Sequence, residues 1–373
     1  MDSKELEEHA VEGTMASAEE EDPLFLPACG MLSFGRLKAS NGLPVVTVAL
    51  MPDDPMLDEE AKAAEAAGLV ALRFLFDGLE SPELSAASTA KLKKVELPVR
   101  AVFRGFMMSG KRYGDLHAGM RELGVHMIVD PGQYERAHYF PNTYSAIEKL
   151  SPRAVWVEVD DMAMVVSGPR AEANAVFEGA VRSVKGWDGC THVCLKDFVK
   201  SAKHKRPDLL KVVVDDDLAA KACQLVSARG AAFNRGVVFK EHVAARMYDV
   251  PLDLGGQTTC PNEWRLWFCN SKMVECSPNS AAALLPGATK VPDAVIAWAT
   301  EAARTIASPY ATIDVSERSG EAGSGDAPEC GWFCLEAGDG GVSGPALDQD
   351  VLKLWKDLRA CFAAEDAREP QPQ

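Results

Sequence analysis

The chain has 373 residues, 47% of them hydrophobic and 25% charged, which is enough to bury a sizeable core and, at roughly 150 residues per domain, to form two or three domains. Its net charge of −16 argues against a general affinity for nucleic acid or for an anionic membrane surface. Ten cysteines in a chain this long do not make a disulfide framework; Cys190, His192 and Cys194 alternate, Cys330 and Cys334 lie four apart, and neither spacing is that of a structural zinc site, so the cysteines read as buried and reduced.

In chain order, residues 1–22 carry nine acidic side chains and one lysine with no repeating apolar face, and residues 1–42 read as an acidic, largely disordered tail. This N-terminus has neither the basic start and apolar stretch of a secretory signal nor the acid-poor composition of a transit peptide. No apolar run approaches the roughly 18 residues of a membrane span, so the expectation is a soluble, cytoplasmic protein. From residue 43 to 155, strands "LPVVTVALM", "LVALRFLF", "PVRAVFRG" and "VHMIVD" alternate with helices over 57–67 and 113–123. That rhythm predicts a small α/β domain with a mostly parallel sheet.

Residues 156–345 are less regular. Helices are expected at 172–185, 216–229 and 293–306, among strands "THVCLKD", "RGVVFKEHV", "YATIDVSE" and "CGWFCLEAGDGGVSG". "NEWRLWFCNSKMVECS" reads as a hairpin turning at Asn270 and Ser271, and "RSGEAGSGDAPE" as a flexible loop. Strands with helices between them predict an α+β domain; residues 346–373 are expected to form a C-terminal helix and tail.

The segment "CLKDFVKSAKHKRPD" places Lys196, Lys200, Lys203, His204, Lys205 and Arg206 together in an acidic chain. Such a run is stable only with something negative among it. Lys196 at a strand end and Lys200 four residues on can both reach one polyphosphate, the alternative being a solvated surface loop. Glu241, closing a strand in "FKEHV", suits a ribose hydroxyl or an adenine amine, with the backbone of His242 and Val243 beyond it for the adenine edge. In "NEWRLWF", Glu263, Arg265 and Trp267 share one strand face, and Arg265 there can grip a phosphate. Asp314 and Glu336 lie on strands that a hairpin would bring side by side. Buried carboxylates do not sit together without a counter-ion, and magnesium completed by phosphate oxygens supplies one; Asp339 is a candidate further ligand from the turn. Arg104 in "FRGF" is a candidate for a substrate carboxylate, the alternative being an interdomain or surface salt bridge.

With these residues in place, the sequence resembles the ATP-grasp superfamily, and within it the clade described by a conserved arginine and two lysines. "LKDFVKSAKHK" is similar to that clade's lysine strand and loop, "GVVFKEHV" to its adenine hinge, and "NEWRLWF" to its arginine strand. "ATIDV" and "WFCLEAGDGGVSG" are similar to its two metal-binding strands, and "VFRGFMMSGKRYGDLHAGMRELG" resembles the arginine–glycine segment of the preceding domain. The resemblance covers Trp156 to Gly344. It implies an ATP-grasp fold behind a small α/β domain. Lys196 and Lys200 would then bind phosphates, Glu241 would lie at the adenosine, Arg265 would steady the transferring phosphate, and Asp314 and Glu336 would bind Mg2+. Gly338 stands where many family members have asparagine, with Asp339 next. The activity implied is ligation of a small-molecule or peptide carboxylate to an amine (or thiol) through an acyl phosphate made from ATP. A non-catalytic nucleotide-binding scaffold and a small-molecule kinase are the other readings.

Overall fold

The structure is a computed structural model, and it describes residues 46–75, 83–251, 259–320 and 331–366. The acidic tail, the "RSGEAGSGDAPE" loop from residue 321 on, Cys330 and the segment after 366 lie outside these.

The first unit is a parallel sheet ordered β2-β1-β3-β4, from β1 (Val46–Pro52), β2 (Val70–Phe74), β3 (Val99–Phe103) and β4 (Val125–Met127). Helices α1 (Asp58–Ala66), α2 (Ala86–Leu92) and α3 (Gly110–Glu122) connect them, as parallel neighbours require. Two helices that the strand rhythm did not predict follow: α4 (Pro131–His138) and α5 (Phe140–Ile147). Their starts carry local signals. Asp130 and Gln133 form a reciprocal capping box with Pro131 at the first turn, and a proline also opens α5.

The second sheet is antiparallel, ordered β5-β8-β6-β7, from β5 (Ala154–Glu158), β6 (His192–Asp197), β7 (Val212–Val213) and β8 (Gly236–Glu241). The helix expected at 172–185 is divided into α7 (Arg170–Ala175) and α8 (Glu178–Lys185), after α6 (Met162–Ser167); α9 (Leu218–Arg229) follows β7. Val193, Leu195, Val237 and Phe239 point into the core these helices make. A short ribbon of β9 (Met247–Asp249) and β10 (Thr259–Pro261) leads to the third sheet.

That sheet is antiparallel, ordered β12-β11-β13-β14: β11 (Glu263–Cys269), β12 (Lys272–Pro278), β13 (Tyr310–Glu317) and β14 (Trp332–Asp339). Asn270 and Ser271 both have positive φ, 48° and 60°, the backbone a two-residue hairpin needs. Helix α10 (Asp293–Ile306) buries Val295, Ala299, Ala302, Ala303 and Ile306, a helical stripe, against Leu266, Phe268, Ile313 and Val315. Helix α11 (Val351–Asp366) packs Leu354, Trp355, Leu358 and Phe362 into one core with the first sheet and with Trp267 and Tyr310 of the third. Among the described residues no helix is long and apolar enough to cross a membrane, and all eight described cysteines are unpaired.

Candidate functional site

Strand alternation builds the site. On β6 and β8 the side chains opposite the helix-covered face are Cys194, Lys196, Val238 and Lys240, with Lys240 registered on Cys194 and Lys196 on Val238. Val238 packs with residues of the third sheet, so this face looks across at that sheet. On the third sheet, Arg265, Asp314 and Glu336 are cross-strand partners in one row. Neighbouring strands lie about 4.8 Å apart, so the three heads meet.

They meet as ion pairs. Lys196 Nζ crosses between the sheets to donate to Glu336 Oε2 at 2.7 Å. Arg265 grips Asp314 with two parallel bonds, Nε to Oδ1 at 2.8 Å and Nη2 to Oδ2 at 2.7 Å, and its Nη1 donates to the Gly344 carbonyl at 2.6 Å. Burial alone would raise the Glu336 carboxyl, but Lys196 outweighs it and holds that carboxyl down at about 2. Burial also lowers the Lys200 ammonium, with Glu336 acting against the shift. The loop bearing Lys200 is folded by Asp197, whose Oδ1 accepts from the Val199 and Lys200 amides at 2.7 and 2.6 Å, while Oδ2 accepts from Arg229 Nε at 2.8 Å.

Two residues that sequence reasoning passed over belong here. Asp197 is one; its signal is a carboxylate two and three residues before the amides it takes, the spacing of a side-chain-capped turn. Lys240 is the other. Its Nζ donates to the carbonyls of Cys334 (3.2 Å) and Leu335 (2.6 Å), beside the irregularity in pairing that sets Glu336 opposite Asp314. Burial lowers this ammonium to about 8. A lysine at an inward position of the apolar run "GVVFK" is the visible signal.

The hinge residues lie at the edge of the cleft. Glu241 is held by Arg153, Nε to Oε2 at 2.9 Å and Nη2 to Oε1 at 2.8 Å, and this hydrogen-bonded pairing lowers its carboxyl. The His242 amide already donates to the His192 carbonyl at 3.0 Å, which leaves Val243 as the first residue beyond the ladder. Glu263 shares the face of Arg265; burial and the charge of Asp314 push its carboxyl up to about 7.

Two expected site residues are not brought to this row. Arg104 is fully buried: its Nε and Nη2 donate to Glu60 Oε1 at 3.1 and 2.7 Å, and Nη1 donates to the carbonyls of Gly340 and Ser343, both at 2.9 Å. It is the interdomain ion pair, tying α1 and β3 to the turn after β14, and not a group presented to a substrate. Asp339 is three residues from Glu336, and an odd separation on a strand puts its side chain on the opposite face. Its Oδ1 caps the following turn by accepting from the Gly341 amide at 2.8 Å, and its Oδ2 is buried with no partner. Among the described residues no group of three His, Cys, Asp or Glu side chains is arranged to hold a metal.

Burial raises the Asp339 carboxyl to about 7. A carboxyl raised in the folded state favours folding below its unfolded value of 3.8, and that contribution is lost as pH rises through about 7. Asp339→Asn keeps the capping oxygen and does not titrate. Its stability advantage over the parent is therefore expected to grow from about pH 4 to about pH 8, reaching on the order of 2–4 kcal/mol. Urea unfolding at several pH values checks this; parallel stability curves for the two proteins would refute it.

Residues 185–358 match the profile of an ATP-grasp domain, family 3 of the clade named for one arginine and two lysines. The fold is similar to that of the D-cycloserine synthetase DcsG, with a TM-score of 0.51 at 14% identity, over 84% of this chain and 99% of that one. Two further similar structures are a RimK domain ATP-grasp protein from Sphaerobacter thermophilus (TM-score 0.48, 16% identity, 85% and 97% covered) and D-alanyl-alanine synthetase A from Vibrio cholerae (TM-score 0.48, 10% identity, 86% and 98% covered). No curated protein matches the sequence.

Proposed function

Because residues 185–358 are an ATP-grasp domain of the arginine-and-two-lysines clade, we propose that the chain is an ATP-dependent ligase that joins a small-molecule or peptide carboxylate to an amine (or thiol), with ATP and Mg2+ held between the second and third sheets. The observation that carries the reading is the row Lys196–Glu336 and Arg265–Asp314, ion pairs that face each other across the cleft. Each pair can exchange its partner. Lys196 leaves Glu336 for phosphate oxygens, and Glu336 turns to a metal; Arg265 and Asp314 divide the same way.

The donor set fits magnesium. Asp314 and Glu336 are hard oxygen ligands on adjacent strands, and this ion takes few protein ligands, completing its octahedron with phosphate and water. Bound Mg–ATP supplies the phosphoryl group that turns a carboxylate into an acyl phosphate open to attack by the amine. What the chain contributes is placement and charge. Lys196 and Lys200 meet the phosphates, Arg265 steadies the group in transfer, and Glu241 with the Val243 backbone lies at the adenosine. Glu336 side-chain exposure of 41% against 9% for Lys196 puts the carboxylate on the accessible side of the pair, where a metal can approach it.

Calorimetry with Mg–ATP tests this first. The intact chain is expected to bind. Lys196→Ala should weaken binding by about ten- to a hundredfold, and Glu336→Ala should remove the magnesium dependence. If the intact chain does not bind Mg–ATP, or Lys196→Ala is indifferent, the ligase reading fails.

A further inference from the structure

Helix α4 ends at His138, and the reading above gives this imidazole nothing to do. The side chain is 5% exposed. Its ring stacks on Tyr134 with centroids 4.6 Å apart, and Tyr134 stacks on Tyr113 at 3.9 Å and 3°. Tyr113 and Tyr134 both place their hydroxyls, the first donating to the Val129 carbonyl and the second to the Met108 carbonyl. His138 does not: its Nε2 is buried and has no hydrogen-bond partner. A buried polar atom left unpaired is costly, and phenylalanine would fill the same stack without that cost. A nitrogen at this position makes sense when its partner arrives with a ligand.

The surroundings identify the ligand. The charges acting most strongly on the imidazole are Glu336, then Lys196 and Lys200. Two residues on, the Phe140 ring lies 5.5 Å from the Lys196 ammonium and 5.1 Å from that of Lys240. The end of α4 thus opens on the phosphate side of the cleft, at Glu336, and not on the hinge at Glu241. Burial lowers the imidazole to about 3, so it stays neutral. A neutral N–H can stand beside two lysines without adding a third repelling charge.

We propose that His138 contacts the transferring phosphoryl group: Nε2–H donates a hydrogen bond to the terminal phosphoryl oxygen of bound ATP. The inference rests on the ATP-dependent reading and adds to it a residue from outside the ATP-grasp domain. Charge spreads over the equatorial oxygens as the group moves, and a fixed donor at one of them stabilises that arrangement.

Calorimetry of the full chain with Mg–AMPPNP and with Mg–ADP separates the possibilities. His138→Phe keeps a ring in the stack and removes the donor. It should weaken Mg–AMPPNP by about tenfold and leave Mg–ADP within about twofold, and His138→Gln should recover part of the loss. A second measurement needs no variant: the His138 Nε2 resonance of 15N-labelled parent protein should move with Mg–AMPPNP and stay in place with Mg–ADP. Equal weakening toward both nucleotides, with a resonance that does not distinguish them, makes His138 a packing residue and overturns the proposal. Unchanged binding of both nucleotides in His138→Phe overturns it as well. A parent protein that binds neither nucleotide overturns the ATP reading itself, which is a separate outcome.

Discussion

An Arg265→Met variant is expected to lose about 10²–10³-fold in phosphate release with whatever carboxylate and amine support the parent, because one fixed donor at a developing charge carries that much. It should also be less stable. The Arg265 and Asp314 side chains are 15% and 7% exposed, and their two parallel bonds lie beside Glu263, whose raised carboxyl already reports the charge of Asp314. Removing the guanidinium strands a buried carboxylate, which costs about 3–5 kcal/mol. The sign of the magnesium effect then becomes diagnostic. Asp314 freed of its cation has more to gain from Mg2+, so magnesium without nucleotide should raise the melting temperature of the variant more than that of the parent. Thermal melts with and without magnesium, together with phosphate release, check both halves. An equal magnesium response in the two proteins would show that Arg265 is not the stand-in for the metal at Asp314.

The row that this variant attacks was legible because it obeys the shortest rule in the sequence, the two-residue period of a strand. Glu263, Arg265 and Trp267 alternate with Trp264, Leu266 and Phe268, and the hairpin positions Asn270 and Ser271 fix which residues can meet. The same rule was available for Asp339 and argues against the metal role: three residues from Glu336 is the wrong parity. Its buried, capping carboxylate follows from that parity and from the turn at Gly340–Val342. Other residues were hidden for physical reasons. Lys240 is a cation inside an apolar strand, placed there because two backbone carbonyls of β14 receive it, and no local pattern announces a partner 94 residues away. His138 sits on an eight-residue helix whose periodicity is too short to read, though Asp130, Pro131 and Gln133 mark where it begins. In the hinge, "FKEHV" shows which residues end a strand, and only the fold shows that the His242 amide is already spent on His192.

Arg104 gives the largest expected effect on stability. Its guanidinium has no exposed surface and Glu60 only 6%; around the pair stand Trp267 and Trp355, with ring centroids 5.1 and 5.2 Å from the guanidinium carbon. Nothing here can be screened by water. Arg104→Met should therefore cost about 3–5 kcal/mol in urea unfolding, since it leaves Glu60 charged in the core and removes the donor from the Gly340 and Ser343 carbonyls. The double variant Arg104→Met with Glu60→Leu should recover most of that, because replacing both members of a buried pair by apolar groups removes the desolvation cost along with the attraction. A consequence reaches the cleft. The turn that Arg104 holds runs on to Gly344, whose carbonyl anchors Arg265, so loosening one end frees the other. Mg–ATP binding should weaken in the single variant even where it remains folded, and stay weak in the double variant, which restores the core but not the bond to the turn. If Arg104→Met costs under about 1 kcal/mol, the pair is not what joins the first sheet to the third; if the double variant regains full nucleotide affinity, the turn is held by its own backbone and Arg104 acts on stability alone.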